Sequence, residues 1–296
     1  MKKSIFIILA FALFNCGCSS VGLVYRNADL YLQHKINDYT TFNTRQKETI
    51  RKEVSNYMAW HRKDALPEYI IFLQNLNGVA QYDGQLRVEE VARLRTHLHG
   101  LYKKTLLPAI QPTAKLLSNL DSLQVQRLGK TFARDIQKQK KELTGGSDDE
   151  NLDKRAEKTI DFLEWLAGSL SSDQESKIRE MSRRLPFVSH IYIHYREANQ
   201  GNLIAQLNAH AGTEKIAAFL SAWMFTPEQA RTAQHEHAIQ SFENASDEMI
   251  VKIHGLLTPR QKNHMRKLIA SYIEDMRSLS SSTQSANVTF RQDQKS

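Results

Sequence analysis

The chain has 296 residues, with 40 Lys and Arg against 32 Asp and Glu for a formal net charge of +8, and only two cysteines. That length supports one large or two small domains with real cores. Two cysteines exclude a disulfide scaffold and a four-thiolate metal site, and the basic residues are too scattered for a nucleic-acid surface.

In chain order, Lys2 and Lys3 precede an apolar run over residues 4–14, SIFIILAFALF. The run is too short for a helix that spans a bilayer of about 30 Å, and it has the anatomy of a signal peptide. It leads directly into Asn15-Cys16-Gly17-Cys18-Ser19-Ser20, which holds both cysteines. This junction resembles the lipobox of bacterial lipoproteins, in which a cysteine after a small residue is acylated and becomes the mature N-terminus. Gly17 before Cys18 fits that pattern, and Asn15 departs from it. Cys16, with Leu13 at the right distance but Asn15 before it, is the rival anchor. The resemblance implies residues 1–17 as leader, lipidation at Cys18, and, through Ser19, the periplasmic face of an outer membrane. More than one acyl chain is what stable anchoring requires.

From residue 18 to 277 the pattern predicts an all-α, multi-helix bundle of about eight to ten helices, elongated or two-lobed, with a possible sub-boundary near 144–151. Glycine and proline are sparse, and apolar residues recur at helical spacing. Ile50, Val54, Tyr57, Met58 and His61 trace one stripe, and Val88, Val91, Leu94, Leu98 and Leu101 another. Turns are expected at 40–43, 65–67, 84, 108–112, 144–147, 168–172, 185–186, 212 and 255. The polar tail over 278–296 has the composition of a disordered segment.

Five stretches share an apolar residue, a capping residue and a glutamine three positions later. They are Phe42-Asn43-Thr44-Arg45-Gln46, Leu120-Asp121-Ser122-Leu123-Gln124, Leu170-Ser171-Ser172-Asp173-Gln174, Phe225-Thr226-Pro227-Glu228-Gln229 and Leu257-Thr258-Pro259-Arg260-Gln261. Each reads as a capping box that marks a helix start, without a fixed repeat period. The last two resemble the L-T-x-x-Q motif of periplasmic Spy-type chaperones.

Tyr25-Arg26-Asn27-Ala28-Asp29 and the corner running from Trp60-His61-Arg62 to Leu66-Pro67-Glu68-Tyr69 resemble a family of Gram-negative outer-membrane lipoproteins of unknown function. That resemblance supplies no activity. A corner of this composition is a structural turn or a partner surface, so Trp60, His61, Arg62 and Tyr69 are candidate partner-binding residues. His190 and His194 lie four apart with Glu197 beyond them, and His235 and His237 form a second cluster, but no His-Glu-x-x-His signature is present. No catalytic motif, cofactor or metal site is expected. The expected function is a lipid-anchored periplasmic binding or scaffold protein, with an envelope protein or cell-wall partner. The alternative is a tethered chaperone of the Spy kind; a metal-dependent enzyme would require a third ligand beside His190 and His194.

Overall fold

The computed structural model describes residues 20–81 and 84–292, so the leader, Cys16 and Cys18 lie outside the described residues. Among the described residues the chain is all-α, without a strand. Two short helices, α1 (Ser20–Arg26) and α2 (Ala28–Asn37), lead to α3 (Thr44–Trp60). A π-helical turn over His61–Ala65 runs on into α4 (Leu66–Gln81). The first half closes with α5 (Val88–Ser118) and α6 (Ser122–Thr144). The second half has α7 (Asp148–Ala167), α8 (Ser172–Arg184), α9 (Ser189–Asn208) and α10 (Thr213–Phe225). A 3-10 turn over Pro227–Ala230 then precedes α11 (Ala233–Leu256) and α12 (Pro259–Gln292).

The two halves share one plan. Helix α2 packs on α3 as α7 packs on α8, and each half lends a helix to the other: α4 lies along α12, and α9 lies along α6. Helix α5 bridges the halves, against α10 and α11. Buried residues follow from this. Ile50, Val54 and Met58 of α3 join Tyr25, Ala28, Leu66 and, from the last helix, Leu279. Ile110 and Ala114 of α5 meet Val125, Leu128, Leu203, Leu207, Ile216 and Leu220.

Four of the five expected capping boxes start helices. Asn43, Asp121, Ser171 and Thr258 each accept from the amide of the glutamine three residues on, and each glutamine Oε1 accepts the cap's own amide. Such a box is worth about 1 kcal/mol to a helix end. The glutamines then do something a lone box does not require. Gln46 Nε2 donates to Gln124 Oε1 at 3.1 Å, and Gln124 Nε2 donates to Gln46 Oε1 at 2.7 Å. Gln174 and Gln261 repeat this reciprocal pair at 2.9 and 3.0 Å. Each remaining amide N–H reaches a carbonyl just ahead of the partner helix, in the loop or at the end of the helix before it: Gln46 to Asn119 O, Gln124 to Thr41 O, Gln174 to Leu256 O and Gln261 to Ser169 O. Both lone pairs and both N–H groups of all four carboxamides are used. Helix starts distant in sequence are thereby locked side by side, once in each half.

Several expectations need correction. The Thr226 box does not form: Thr226 Oγ1 donates back to Ala222 O at 3.3 Å, ending α10, and only the 3-10 turn follows, with Gln229 exposed. Helix α5 continues through Pro108 and Pro112. Pro108 lies on its exposed face, where the carbonyl left without a donor can face water, while Ile110 and Ala114 hold the inner face. The corner at 65–67 is not a break either. Pro67 has no N–H to donate, and the amide before it, that of Leu66, reaches back five residues to His61 O, widening the turn while helix continues. The segment from Ser278 is helical as far as Gln292, and Leu279 packs into the core beside Tyr25 and Leu66. The turn at 168–172 is present, with Gly168 at φ 85° ending α7.

Candidate functional site

The expected partner-binding residues turn inward more than outward. His61 is 3% exposed, and its Nδ1 lies 2.7 Å from the Tyr25 hydroxyl. Its ring sits among Tyr25, Tyr57, Trp60 and Tyr69, with centroids 5.4 to 6.3 Å away. Burial, reinforced by the neighbouring Arg62 guanidinium, lowers the His61 pKa to about 4. The imidazole is therefore neutral at neutral pH and shares a hydrogen bond with the Tyr25 phenol, whose own pKa is raised by burial. Tyr69 and Tyr57 are fixed from the other side: the Tyr69 hydroxyl is 2.5 Å from Thr105 Oγ1, and Tyr57 donates to Thr105 O at 3.1 Å. Burial pushes the Tyr69 phenol up to about 12. This cluster ties α1 to α3, α4 and α5, leaving Trp60, Arg62 and Tyr69 partly exposed at its edge.

The histidine face of α9 is divided among neighbours. His190 stacks on Phe187, and His194 faces the His235 ring at 6.1 Å. Glu197 bonds Lys140 at 2.8 Å, and the Tyr195 hydroxyl lies 3.0 Å from His235 Nδ1. Among the described residues no three His, Cys, Asp or Glu side chains are grouped to hold a metal.

The opposite side of α9 faces a cleft of about 1360 Å³ between α5, α6, α9, α10 and α11. Each wall contributes side chains, and those of α9 follow i, i+4 spacing. Tyr192, Arg196 and Gln200 line it from α9, Leu128, Phe132 and Asp135 from α6, and Trp223 and Met224 from α10. The floor is the apolar cluster around Leu128, Leu203 and Leu220.

Charges around the cleft are mostly neutralised by one another. Arg95 donates to both carboxylate oxygens of Asp247 and, at 2.7 Å, to Glu243. Arg231 pairs with Glu236 at 2.9 Å and lies over the Tyr192 ring. Lys35 pairs with Asp38 at 3.2 Å. Arg196 is the contrast. It makes no hydrogen bond or ion pair within the described residues, and desolvation lowers its pKa, with Tyr39, Tyr102 and Asp135 as its nearest counterweights. One turn along, Gln200 Oε1 is buried without a donor. A half-buried cation beside an unsatisfied acceptor, on two residues that line an open cleft, is a set of groups shaped to receive something.

Sequence reasoning selected the other face of α9. An arginine four residues from a tyrosine on an amphipathic helix looks solvent-exposed, and only the packing of α5, α6 and α10 around Arg196 makes it a cleft residue.

No curated protein and no solved structure matches the chain. A family model does, over residues 38–232, a stretch that includes the Trp60 to Tyr69 corner, most of the cleft and three of the four paired glutamines, Gln46, Gln124 and Gln174. That match covers more than half of the chain, and the protein therefore belongs to the family of unknown function DUF6279.

Proposed function

We propose that the protein is a binding protein of the Gram-negative cell envelope, acylated at Cys18, held at the outer membrane and facing the periplasm. In this reading it holds an envelope partner or ligand in the cleft between α5, α6, α9, α10 and α11, and it performs no chemistry on it. The observation that carries the reading is the cleft itself, where aromatic walls surround a guanidinium that forms no ion pair among the described residues. The leader and the Cys18 junction supply the address. Tyr25, buried against His61 seven residues after Cys18, leaves only a short tether, so the body would sit close against the membrane.

Two measurements test this. Cys18→Ser should abolish acylation and release the protein from the membrane fraction, while Cys16→Ser changes nothing; the reverse result moves the anchor. A photo-crosslinking residue at Met224 in the cleft should capture a partner in cells, and the same residue at Leu107, which is 60% exposed on α5, should not. Equal capture from both positions would sink the cleft as the binding surface.

A tethered chaperone of the Spy kind is a second reading, favoured by the concave aromatic-lined surface and by the Thr258–Gln261 box, which keeps the L-T-x-x-Q form. Suppression of client aggregation by the purified protein at near-equimolar ratio, lost in Trp223→Ala, would establish it.

A further inference from the structure

We propose that the cleft binds a single-chain anionic amphiphile, with its acidic head on Arg196 and a neighbouring hydroxyl donated to Gln200 Oε1. This inference rests on reading the cleft as the binding site and goes further by naming the chemistry of the occupant.

The head group follows from what is missing. Arg196 offers a planar fork of N–H donors with no acceptor among the described residues, and it is desolvated by its surroundings. A carboxylate or phosphate supplies two oxygens in the geometry that fork prefers. Gln200 lies one helical turn further along the same stripe, about 5–6 Å away between Cβ atoms. Its Oε1 is buried and accepts nothing. A ligand bearing an anion and, a few bonds away, a hydroxyl would satisfy both at once. An anion alone would leave the carbonyl oxygen orphaned, and a cation would meet a buried like charge.

The body follows from the walls. Tyr39, Tyr102 and Asp135 act on Arg196 itself, and the cleft they share has an aromatic and aliphatic part, Phe132, Leu203, Leu220, Trp223 and Met224, with the apolar cluster of α5, α6, α9 and α10 beneath. These side chains offer ring faces and a thioether, with few donors or acceptors. They suit a chain of methylenes better than a polar polymer such as a glycan or an acidic peptide, each residue of which would need its own partners. At about 1360 Å³ the cleft exceeds the common size of small-molecule pockets, about 300–1000 Å³, and accommodates a flexible chain as well as its head. Beside the cleft Arg95 is taken by Asp247 and Glu243, and on its lining Arg231 is taken by Glu236, while Lys103 is exposed at the rim, where water screens it. A body held close to a bilayer surface would also meet amphiphiles of this kind there.

The test uses the full chain in a non-ionic detergent, titrated with lipid probes and followed by native mass spectrometry and by tryptophan fluorescence, with Trp223→Phe identifying the signal from the cleft. The probes are 3-hydroxytetradecanoate, tetradecanoate, lysophosphatidylglycerol, tetradecyltrimethylammonium and inorganic phosphate. The first or third should bind one to one, and which of them binds better assigns the head as carboxylate or phosphate. Tetradecanoate should bind severalfold more weakly than its hydroxylated form, and the cationic amphiphile and free phosphate should not bind. Arg196→Met should weaken the anionic lipids by about tenfold or more, as expected for a lost charge-assisted hydrogen bond. Gln200→Leu should erase the advantage of the hydroxylated chain while leaving tetradecanoate unchanged. The proposal is overturned if the cationic and anionic amphiphiles bind alike, if Arg196→Met binds as the parent does, or if no probe binds. In that last case, crosslinking of a protein partner at Met224 would leave the cleft standing as a binding site with a different occupant, and its absence would remove both.

Discussion

At the junction of α8 and α12 every polar atom of the Gln174 and Gln261 carboxamides has a partner, whereas in the central cleft the Arg196 guanidinium and Gln200 Oε1 have none among the described residues. Both regions carry polar side chains away from water. The junction uses them to close the fold: two helix starts 87 residues apart are held in register by a network that leaves nothing for a ligand to satisfy. The cleft leaves them open, and a partly desolvated charge without a partner costs stability that a bound counter-ion recovers. At the junction the saturated groups are structural, and in the cleft the open ones are held where a ligand can reach.

The sharpest way to break this contrast is to open a closed network beside the cleft. Arg95 joins α5 to α11 through Asp247, whose side chain is 3% exposed, and through Glu243. Arg95→Ala would strand the Asp247 carboxylate in the interior. The expected loss is about 3–5 kcal/mol in the free energy of unfolding, measured by urea denaturation. Arg95→Ala together with Asp247→Asn should recover part of it. A loss below about 1 kcal/mol would mean that water reaches Asp247 and the network is not closed.

Next comes the junction itself. Gln174→Glu keeps the acceptor of the capping box and removes both donors, so that a carboxylate faces Leu256 O and Gln261 Oε1. The expected cost is about 2–4 kcal/mol, from buried acceptors left unsatisfied. Acidification should reduce that cost, since the introduced carboxyl regains one donor when it takes up a proton. Glu150→Gln supplies the control. Glu150 caps α7 in a box with Ser147, and that change should move stability by under about 0.5 kcal/mol. If both substitutions cost the same, the reciprocal pairing contributes nothing beyond the box.

The helix starts are legible in the amino-acid pattern, and the pairing of their glutamines is not. A capping box is local, whereas the partner carboxamide lies 78 or 87 residues away and no spacing rule connects them. One signal is present. Four boxes use Gln where Glu would cap as well, and only a carboxamide can accept from its own box while donating to another. The prolines of α5 mislead because backbone chemistry alone points to a break, while burial of Ile110 and Ala114 sustains the helix. Trp60, His61, Arg62 and Tyr69 stand out by their composition, which suits either a packed corner or a surface. Enclosure by Tyr25, Tyr57 and Thr105, on three other segments, puts His61 inside. Arg196 escapes notice for the converse reason: its neighbours in sequence make it look exposed, and its neighbours in space do not.

His61 tests closure with protons. Its pKa of about 4 in the folded protein lies below the ordinary value of 6.5. Between those values the unfolded chain binds a proton that the folded chain refuses, so stability is intact above pH 6.5 and falls as the pH drops toward 4. The full difference amounts to about 3 kcal/mol. Lowered by burial and by Lys262, the pKa of His254 adds a contribution of the same sign. His61→Gln retains an acceptor for the Tyr25 hydroxyl and should flatten the decline in urea midpoint between pH 6.5 and 4. An unchanged slope would assign acid sensitivity elsewhere.

The smallest expected effect on stability belongs to the residue with the most to do. Arg196→Met removes a charge that is desolvated and unpaired while keeping a long apolar stem on the cleft wall. Were Arg196 structural in the way Arg95 is, this change would cost several kcal/mol; as an open group it should leave the unfolding free energy within about 1 kcal/mol of the parent, and above it if desolvation dominates. The parent, in turn, should gain stability when the anionic amphiphile is added, and the variant should not, because a ligand that binds only the folded state raises its stability in proportion to its affinity. Thermal unfolding of both proteins, with and without the amphiphile, separates the two roles in one experiment: a destabilised variant places Arg196 among the closed networks, and an undisturbed variant that has lost the ligand shift places it in a binding site.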